Sequence, residues 1–179
     1  MRYKDGMKVI GIAGWSGAGK TTLLTRVIPL LAARGLRVST IKHAHHGFDV
    51  DQPGKDSHTH RMAGATEVLV SSANRFALMH ELRGAPELRL GQLLEKLAPV
   101  DLVLVEGFKR EAHPKLEVHR ASVGKPLLAP DDPNVVAIAS DGPVAARVPV
   151  VSLDDVEAVA DILVAKAVPL DAVMARVSA

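Results

Sequence analysis

With 179 residues, 47% hydrophobic, 23% charged and only 3% aromatic, the chain has room for one buried core, which must be built from Val, Leu, Ile and Ala. The absence of cysteine excludes disulfides and thiolate metal sites, and a formal charge of +2 suits a polyphosphate ligand but is too weak for a nucleic-acid-binding face. No apolar run reaches the roughly 18 residues of a membrane span, and the opening MRYKDGMKVI lacks a secretory signal's apolar core, so a cytoplasmic protein is expected.

After a polar leader, residues 7–13 (MKVIGIA) read as a buried strand. The glycine-rich GWSGAGKT follows at once, and the next segment places Leu23, Leu24, Val27, Ile28 and Leu31 on one helical face that stops at Gly35. Pro29 inside that helix removes a hydrogen bond and predicts a kink. Residues 36–42 (LRVSTIK) form a second strand. The polar stretch that runs from there to Asp56 is long for a connector, and loops of that length are usually functional or mobile. A short helix over 57–64 precedes two strands, EVLVSS and RFALMHE, joined around Ser72–Asn74 as a hairpin. Leu90, Leu93, Leu94 and Leu97 mark another helix by their spacing.

DLVLVEG (101–107) is the next fully buried strand, and KLEVHR and NVVAIAS are two more. A closing helix runs from about Asp154 to Lys166 with an Asp-x-x-Glu capping pattern at Asp154 and Glu157. Val156, Val159, Ala160 and Leu163 form its apolar face, and PLDAVMARVSA reads as a last helical turn or a frayed end. No repeat, low-complexity tract or linker divides the chain. Residues 1–179 are therefore expected to form a single domain with the strand–helix alternation of a doubly wound sheet.

The motif that carries chemistry is Gly14-Trp-Ser-Gly-Ala-Gly19-Lys20-Thr21, which matches G-x-x-x-x-G-K-[ST] between an apolar strand and an apolar-faced helix. A loop wrapped round a polyphosphate must turn successive backbone N–H groups inward, which needs positive φ and close approach, hence Gly14, Gly17 and Gly19. Lys20 is expected to bridge the β- and γ-phosphates and the Thr21 hydroxyl to ligate Mg²⁺. Gly14, Ser16, Gly17, Ala18, Gly19, Lys20, Thr21 and Thr22 are the expected nucleotide-binding residues.

Such a loop needs a carboxylate at the carboxyl end of a core strand. Glu106 stands there in DLVLVEG, against the reading of a solvated strand-end charge, while Asp101 at the strand's entrance reads as a turn residue. The long loop offers Asp49, Asp51 and Asp56 beside Lys42 and Lys55, a charged segment suited to sensing a γ-phosphate. Asp56 is open to two readings, a helix cap or a ligand. His43, His45, His46, His58 and His60 form a cluster without the spacing of a helical zinc site, so they read as polar loop residues.

With GWSGAGKTTL, IKHAHH, the run of Asp49, Asp51 and PGKDS, the AGA at Ala63–Ala65 and DLVLVEGFK in this order, the chain resembles the MobB family over residues 7 to about 141. Those are adaptor proteins of molybdopterin-guanine dinucleotide biosynthesis. The resemblance implies an α/β, three-layer P-loop NTPase fold, mostly parallel, with helices on both faces and a β-hairpin insertion. It implies GTP with Mg²⁺ as cofactors, slow hydrolysis and a homodimer. Its implied partner is the molybdenum cofactor guanylyltransferase that attaches GMP to molybdopterin, with molybdopterin itself as a further ligand and no role for nucleic acid or membrane. The family also looks related to dethiobiotin synthetase, whose loop threonine, loop aspartate and VEG glutamate hold Mg²⁺. Matched residue by residue, these are Thr21, Asp56 and Glu106, so Lys20, Asp56 and Glu106 are the implied catalytic set.

The N-K-x-D signature that reads guanine in many GTPases is absent. A carboxylate accepts hydrogen bonds from guanine N1–H and N2–H₂, and Asp141 at the end of NVVAIAS is placed either for that or as a plain turn residue in Ser-Asp-Gly-Pro. Two functional classes compete with an adaptor GTPase. One is a stand-alone ATP-dependent ligase or kinase of the dethiobiotin synthetase type. The other is an interaction module with a vestigial loop, against which the intact Lys20, Thr21 and Glu106 argue.

Overall fold

Unbroken apolar runs dictate the central layer. In the computed structural model, which describes residues 6–44 and 47–177, β1 (Lys8–Ala13) lies in parallel between β5 (Leu102–Glu106) and β6 (Lys115–His119). The sheet continues outward to β2 (Val38–Lys42) on one side, and to β7 (Val135–Ser140) and β8 (Val150–Ser152) on the other, every pair parallel. A short β9 (Val168–Pro169) joins the start of β1 in antiparallel fashion. Because side chains alternate across a strand, the two faces divide cleanly. Ile10, Ile12, Leu102 and Leu104 face α1 (Lys20–Ala33) and α4 (Val156–Lys166). Val9, Val103 and Val105 face α3 (Leu90–Lys96) and α5 (Leu170–Val177). The sheet is thus covered on both sides, as its Val- and Leu-rich strands require.

Contacts divide the described residues into two units: one reaches His43 and resumes at Arg89, and the other spans Ala44–Leu88. The second holds α2 (Asp56–Met62) and a hairpin of β3 (Glu67–Ser71) and β4 (Phe76–His80). Its organiser is Arg61, which donates to Asp49 at 2.7 Å and Glu81 at 3.2 Å and pairs with Asp51 at 3.4 Å. Arg83 in turn donates to the carbonyls of Arg61 and Ala65 at 3.1 and 3.0 Å, closing the end of α2. Asp49 and Asp51, read from sequence as phosphate-sensing groups, are therefore held by an internal arginine. The amide of Asp51 and then Arg61 hold the Asp49 carboxyl below the usual carboxylate range.

Several element boundaries differ from the sequence reading. Asp155, not Asp154, caps α4 by accepting from the Ala158 amide at 3.0 Å, and Glu157 pairs with Arg34 rather than completing a capping box. The adjacent Asp155 competes for the same orphan amides and wins by one position. The C-terminal segment is neither a single turn nor a frayed end: Val173 and Val177 of α5 are buried against the sheet. Helix α1 continues through Pro29, which sits with Thr25 on its exposed side, where water can satisfy the carbonyl that the missing N–H leaves open. Among the described residues no helix is long and apolar enough to cross a membrane.

On the α3–α5 face, β6 breaks the apolar pattern with a buried polar layer. Lys115, 1% exposed, donates to the Glu111 carbonyl at 2.7 Å and to Asp132 at 2.9 Å. Glu117, 0% exposed, accepts from the amides of Leu128 and Ala129 at 2.7 and 2.9 Å. His113 completes the layer with both ring nitrogens buried and unpaired among the described residues. It packs so closely on Gly11 that a Cβ there would lie 2.4 Å from its Nε2.

Burial, and secondarily the Lys115 ammonium, push the His113 pKa down from 6.5 to about 4. Between these values the unfolded chain binds a proton that the folded chain refuses. Stability from this residue is therefore complete above pH 6.5 and is lost as the pH falls toward 4. From the size of that shift we expect the loss to be about 2 kcal/mol by pH 4.5. In urea unfolding, His113→Leu should lose less stability than the parent between pH 7.5 and 4.5. Equal losses in the two proteins would show that His113 is not the group resisting protonation.

Candidate functional site

The carboxyl end of β1 runs directly into the glycine-rich loop. Gly14, Gly17 and Gly19 take φ values of 141, 83 and 94°, the region glycine alone enters freely. Gly14 is required twice over, since a Cβ there would lie 2.4 Å from the Val118 carbonyl oxygen of β6. Ala18 anchors the loop by burying its methyl in the core, while Ser16 and Thr22 remain exposed. Helix α1 then starts at Lys20, so its unpaired amides and the positive end of its dipole face the loop.

Lys20 folds back across the loop and donates to the carbonyls of Gly14 and Trp15 at 2.9 and 3.0 Å. Burial, followed by the nearby Lys109 ammonium, pushes the Lys20 pKa below its ordinary value. The parallel register aligns Glu106 with Ile12 of β1 and Lys42 of β2. That register brings its carboxylate to the same loop, where the Thr21 hydroxyl donates to Glu106 Oε1 at 3.1 Å. Lys42 lies 3.8 Å from the same oxygen, and the Glu106 side chain is only 12% exposed. A hydroxyl and a carboxylate this close are the hard oxygen donors Mg²⁺ prefers, and neighbouring ligands of an octahedral Mg²⁺ lie roughly 3 Å apart. Thr21 and Glu106 therefore fit the metal the sequence implies.

A second loop closes over the glycines from the end of β6. The Arg120 guanidinium lies 3.4 Å from where a Gly19 Cβ would stand, and Val123 reaches the corresponding position at Gly17. Asp141 fixes this loop by accepting from the Ala121 amide at 2.9 Å, and its other oxygen lies 3.6 Å from Arg120. Asp56 is the first residue of α2 in the other unit, where an acid favours the helix dipole, and Lys55 rather than Asp56 takes the capping position. Asp101 sits at the opposite end of β5, clasped by the Arg37 side chain and amide, which hold its pKa down to about 2. It belongs to the frame. His45 and His46 lie outside the described residues. Among those described, no group of three or more His, Asp or Glu gathers to hold a metal ion.

Sequence reasoning missed the surroundings of Trp15. Its indole N–H donates to the Pro126 carbonyl at 2.8 Å, and the ammonium groups of Lys109 and Lys125 lie 4.8 and 5.9 Å from its ring centroid. The available signal was positional: Lys109 and Arg120 follow the carboxyl ends of β5 and β6, where open sheets of this class bind ligands.

The model of the family described as molybdopterin guanine dinucleotide synthesis protein B matches residues 9–141. The chain is 44% identical over 167 residues to the molybdopterin-guanine dinucleotide biosynthesis adapter protein of Escherichia coli (strain K12), spanning 92% of this chain and 95% of that one. Its identity to the corresponding adapter protein of Haemophilus influenzae is 41% over 156 residues, spanning 87% and 86% of the two chains. A crystal structure of a molybdopterin-guanine biosynthesis protein B matches with a TM-score of 0.70 at 28% identity, over 88% of this chain and 98% of that one.

Proposed function

The chain belongs to the family of molybdopterin guanine dinucleotide synthesis protein B, and from that premise we propose that it is an Mg²⁺-dependent, weakly hydrolysing GTP-binding adapter acting in the cytoplasm. The observation that carries the reading is the 3.1 Å contact between the Thr21 hydroxyl and the Glu106 carboxylate, beside Lys20 at the mouth of the loop. The loop amides and Lys20 bind and orient the β- and γ-phosphates. Thr21 and Glu106 hold Mg²⁺, which supplies neutralisation of charge on the phosphate oxygens. The whole of 1–179 acts as one nucleotide-binding protein, and its partner is the guanylyltransferase that joins GMP to molybdopterin, the nucleotide serving to order the complex.

Lys20→Ala should weaken GTP binding by about 2–5 kcal/mol, as expected for removing one side of a desolvated charge pair. Thr21→Ala and Glu106→Gln should instead cut Mg²⁺-dependent hydrolysis while leaving metal-free binding nearly unchanged. Calorimetry and phosphate-release assays separate the two patterns, and parental behaviour in all three variants would remove the reading.

Guanine is read, in this proposal, by Asp141, whose carboxylate is already oriented by the Ala121 amide. Asp141→Asn puts a donor where an acceptor stood and should cost GTP about 1–3 kcal/mol while sparing ATP. Xanthosine triphosphate, with a carbonyl in place of the amino group, should regain part of the loss. An equal fall for GTP and ATP would reduce Asp141 to its loop-fixing contact.

The chain is further proposed to form a homodimer through its hairpin. Leu69 and Leu78 face each other across β3 and β4, and with Phe76 they form one apolar face that is 51–72% exposed. A monomer rarely leaves such a face open. The double variant Leu69→Lys, Leu78→Lys should sediment as a monomer where the parent sediments as a dimer. A parental sedimentation coefficient for that variant would place the dimer contact elsewhere.

A further inference from the structure

The segment after Glu106 does something its length alone does not require. It turns through two successive left-handed residues, Gly107 at φ 98° and Phe108 at φ 49°. At Gly107 a side chain is impossible, because a Cβ would lie 2.7 Å from the Cβ of His43. At Phe108 the conformation is unfavourable for any residue bearing a Cβ. It is held by the phenyl ring, which packs on the His43 imidazole with centroids 4.8 Å apart. The product of this strained turn is the position of Lys109, whose ammonium is delivered 4.8 Å from the centre of the Trp15 ring. Trp15 is the second residue of the glycine-rich loop, and its carbonyl accepts from Lys20 at 3.0 Å.

The charges around this point do not balance. Lys20, Lys42 and Lys109 converge on a site whose carboxylate, Glu106, is already engaged by Thr21 and Lys42. Among the described residues no carboxylate pairs with Lys109. Lys20 donates to the Trp15 carbonyl while Lys109 stands over the Trp15 ring, so both ammonium groups gather at this one loop residue. Two ammonium groups forced together at a helix N-terminus are stabilised by an anion between them.

Resting on the nucleotide reading above, we propose that Lys109 is a second phosphate-binding cation of this site, supplied from the turn that follows the strand ending in the metal-holding glutamate and directed at the terminal phosphate of a nucleoside triphosphate. The indole of Trp15 holds the ammonium beside the loop by a cation–π contact, and the triphosphate takes it over. Lys109 then separates triphosphate from diphosphate, whereas Lys20 grips both.

The test uses the full chain with Mg²⁺ and compares GTP with GDP. Lys109→Met should weaken GTP binding about tenfold or more and GDP binding by less than about threefold, with Lys109→Arg recovering most of the difference. Trp15 is the only tryptophan in the chain, so its emission reports the hand-over directly. GTP should change the parental emission more than GDP does, and Lys109→Met should erase that difference. If Lys109→Met binds both nucleotides as the parent does, or loses both equally together with a lowered melting temperature, Lys109 only props Trp15 and the proposal is overturned. If the parent itself binds neither nucleotide, the nucleotide reading fails first and carries this inference with it.

Discussion

Glu106 stands level with Ile12 because β5 pairs with β1 in parallel and in register, and every chemical feature of the site follows from that alignment. A parallel ladder leaves the carboxyl ends of neighbouring strands side by side, so the residue ending β5 meets the loop leaving β1. A shift of one residue would turn the carboxylate to the other face and leave Thr21 without it. On its other side β5 is held to β2 by two contacts at the same end. The amide of His43 donates to the Glu106 carbonyl at 2.9 Å, and Gly107 leaves room for the His43 Cβ, which would lie 2.7 Å from any Cβ placed there.

The electrostatics of the site follow from which acids the fold has already committed. Asp101 is bound to Arg37 at the far end of β5. Asp141 is bound to the loop carrying Arg120, and Asp132 to the buried Lys115. Glu106 instead stands at the mouth of the loop, shared between Thr21 and Lys42. Positive charge from Lys20, Lys109 and Arg120 is therefore concentrated around a ring of glycine backbone, partly shielded from water. Cations held this way are poorly solvated before a ligand arrives, so an anion gains more from them than it would from the same lysines on an open surface.

The sheet, its helices and the loop were legible because they depend on local rules. The unbroken apolar runs of β1 and β5, the spacing of Leu23, Leu24, Val27 and Leu31, and the fixed glycines each declare themselves within one short segment. Thr21 and Glu106 could be paired from sequence because each has a fixed place relative to its own strand. What stayed hidden depends on distant segments meeting. Asp49 and Asp51 read as free loop acids, since nothing nearby in sequence identifies Arg61 as their partner. The strands β8 and β9 are too short for their periodicity to register. Lys115 and Glu117 look like the solvent face of a strand, and only the packing of residues 111–132 over them makes that face a buried one.

That buried polar layer has a bearing on the site as well as on the fold. A buried carboxylate is costly unless its oxygens are satisfied, and Glu117 is satisfied by the amides of Leu128 and Ala129. Those amides fix the segment that begins at Lys125 and Pro126, and the Pro126 carbonyl receives the indole N–H of Trp15. A continuous line of polar contacts thus runs from the interior of β6 to the second residue of the phosphate loop. An apolar pair at the same places could fill the volume, but it would exert no directional hold on the backbone at Leu128 and Ala129. The polar solution fixes where the Trp15 ring stands, and with it where Lys109 rests. The loop can then present its amides without first having to find its shape, which is the condition for backbone groups to contribute fully to binding a polyphosphate.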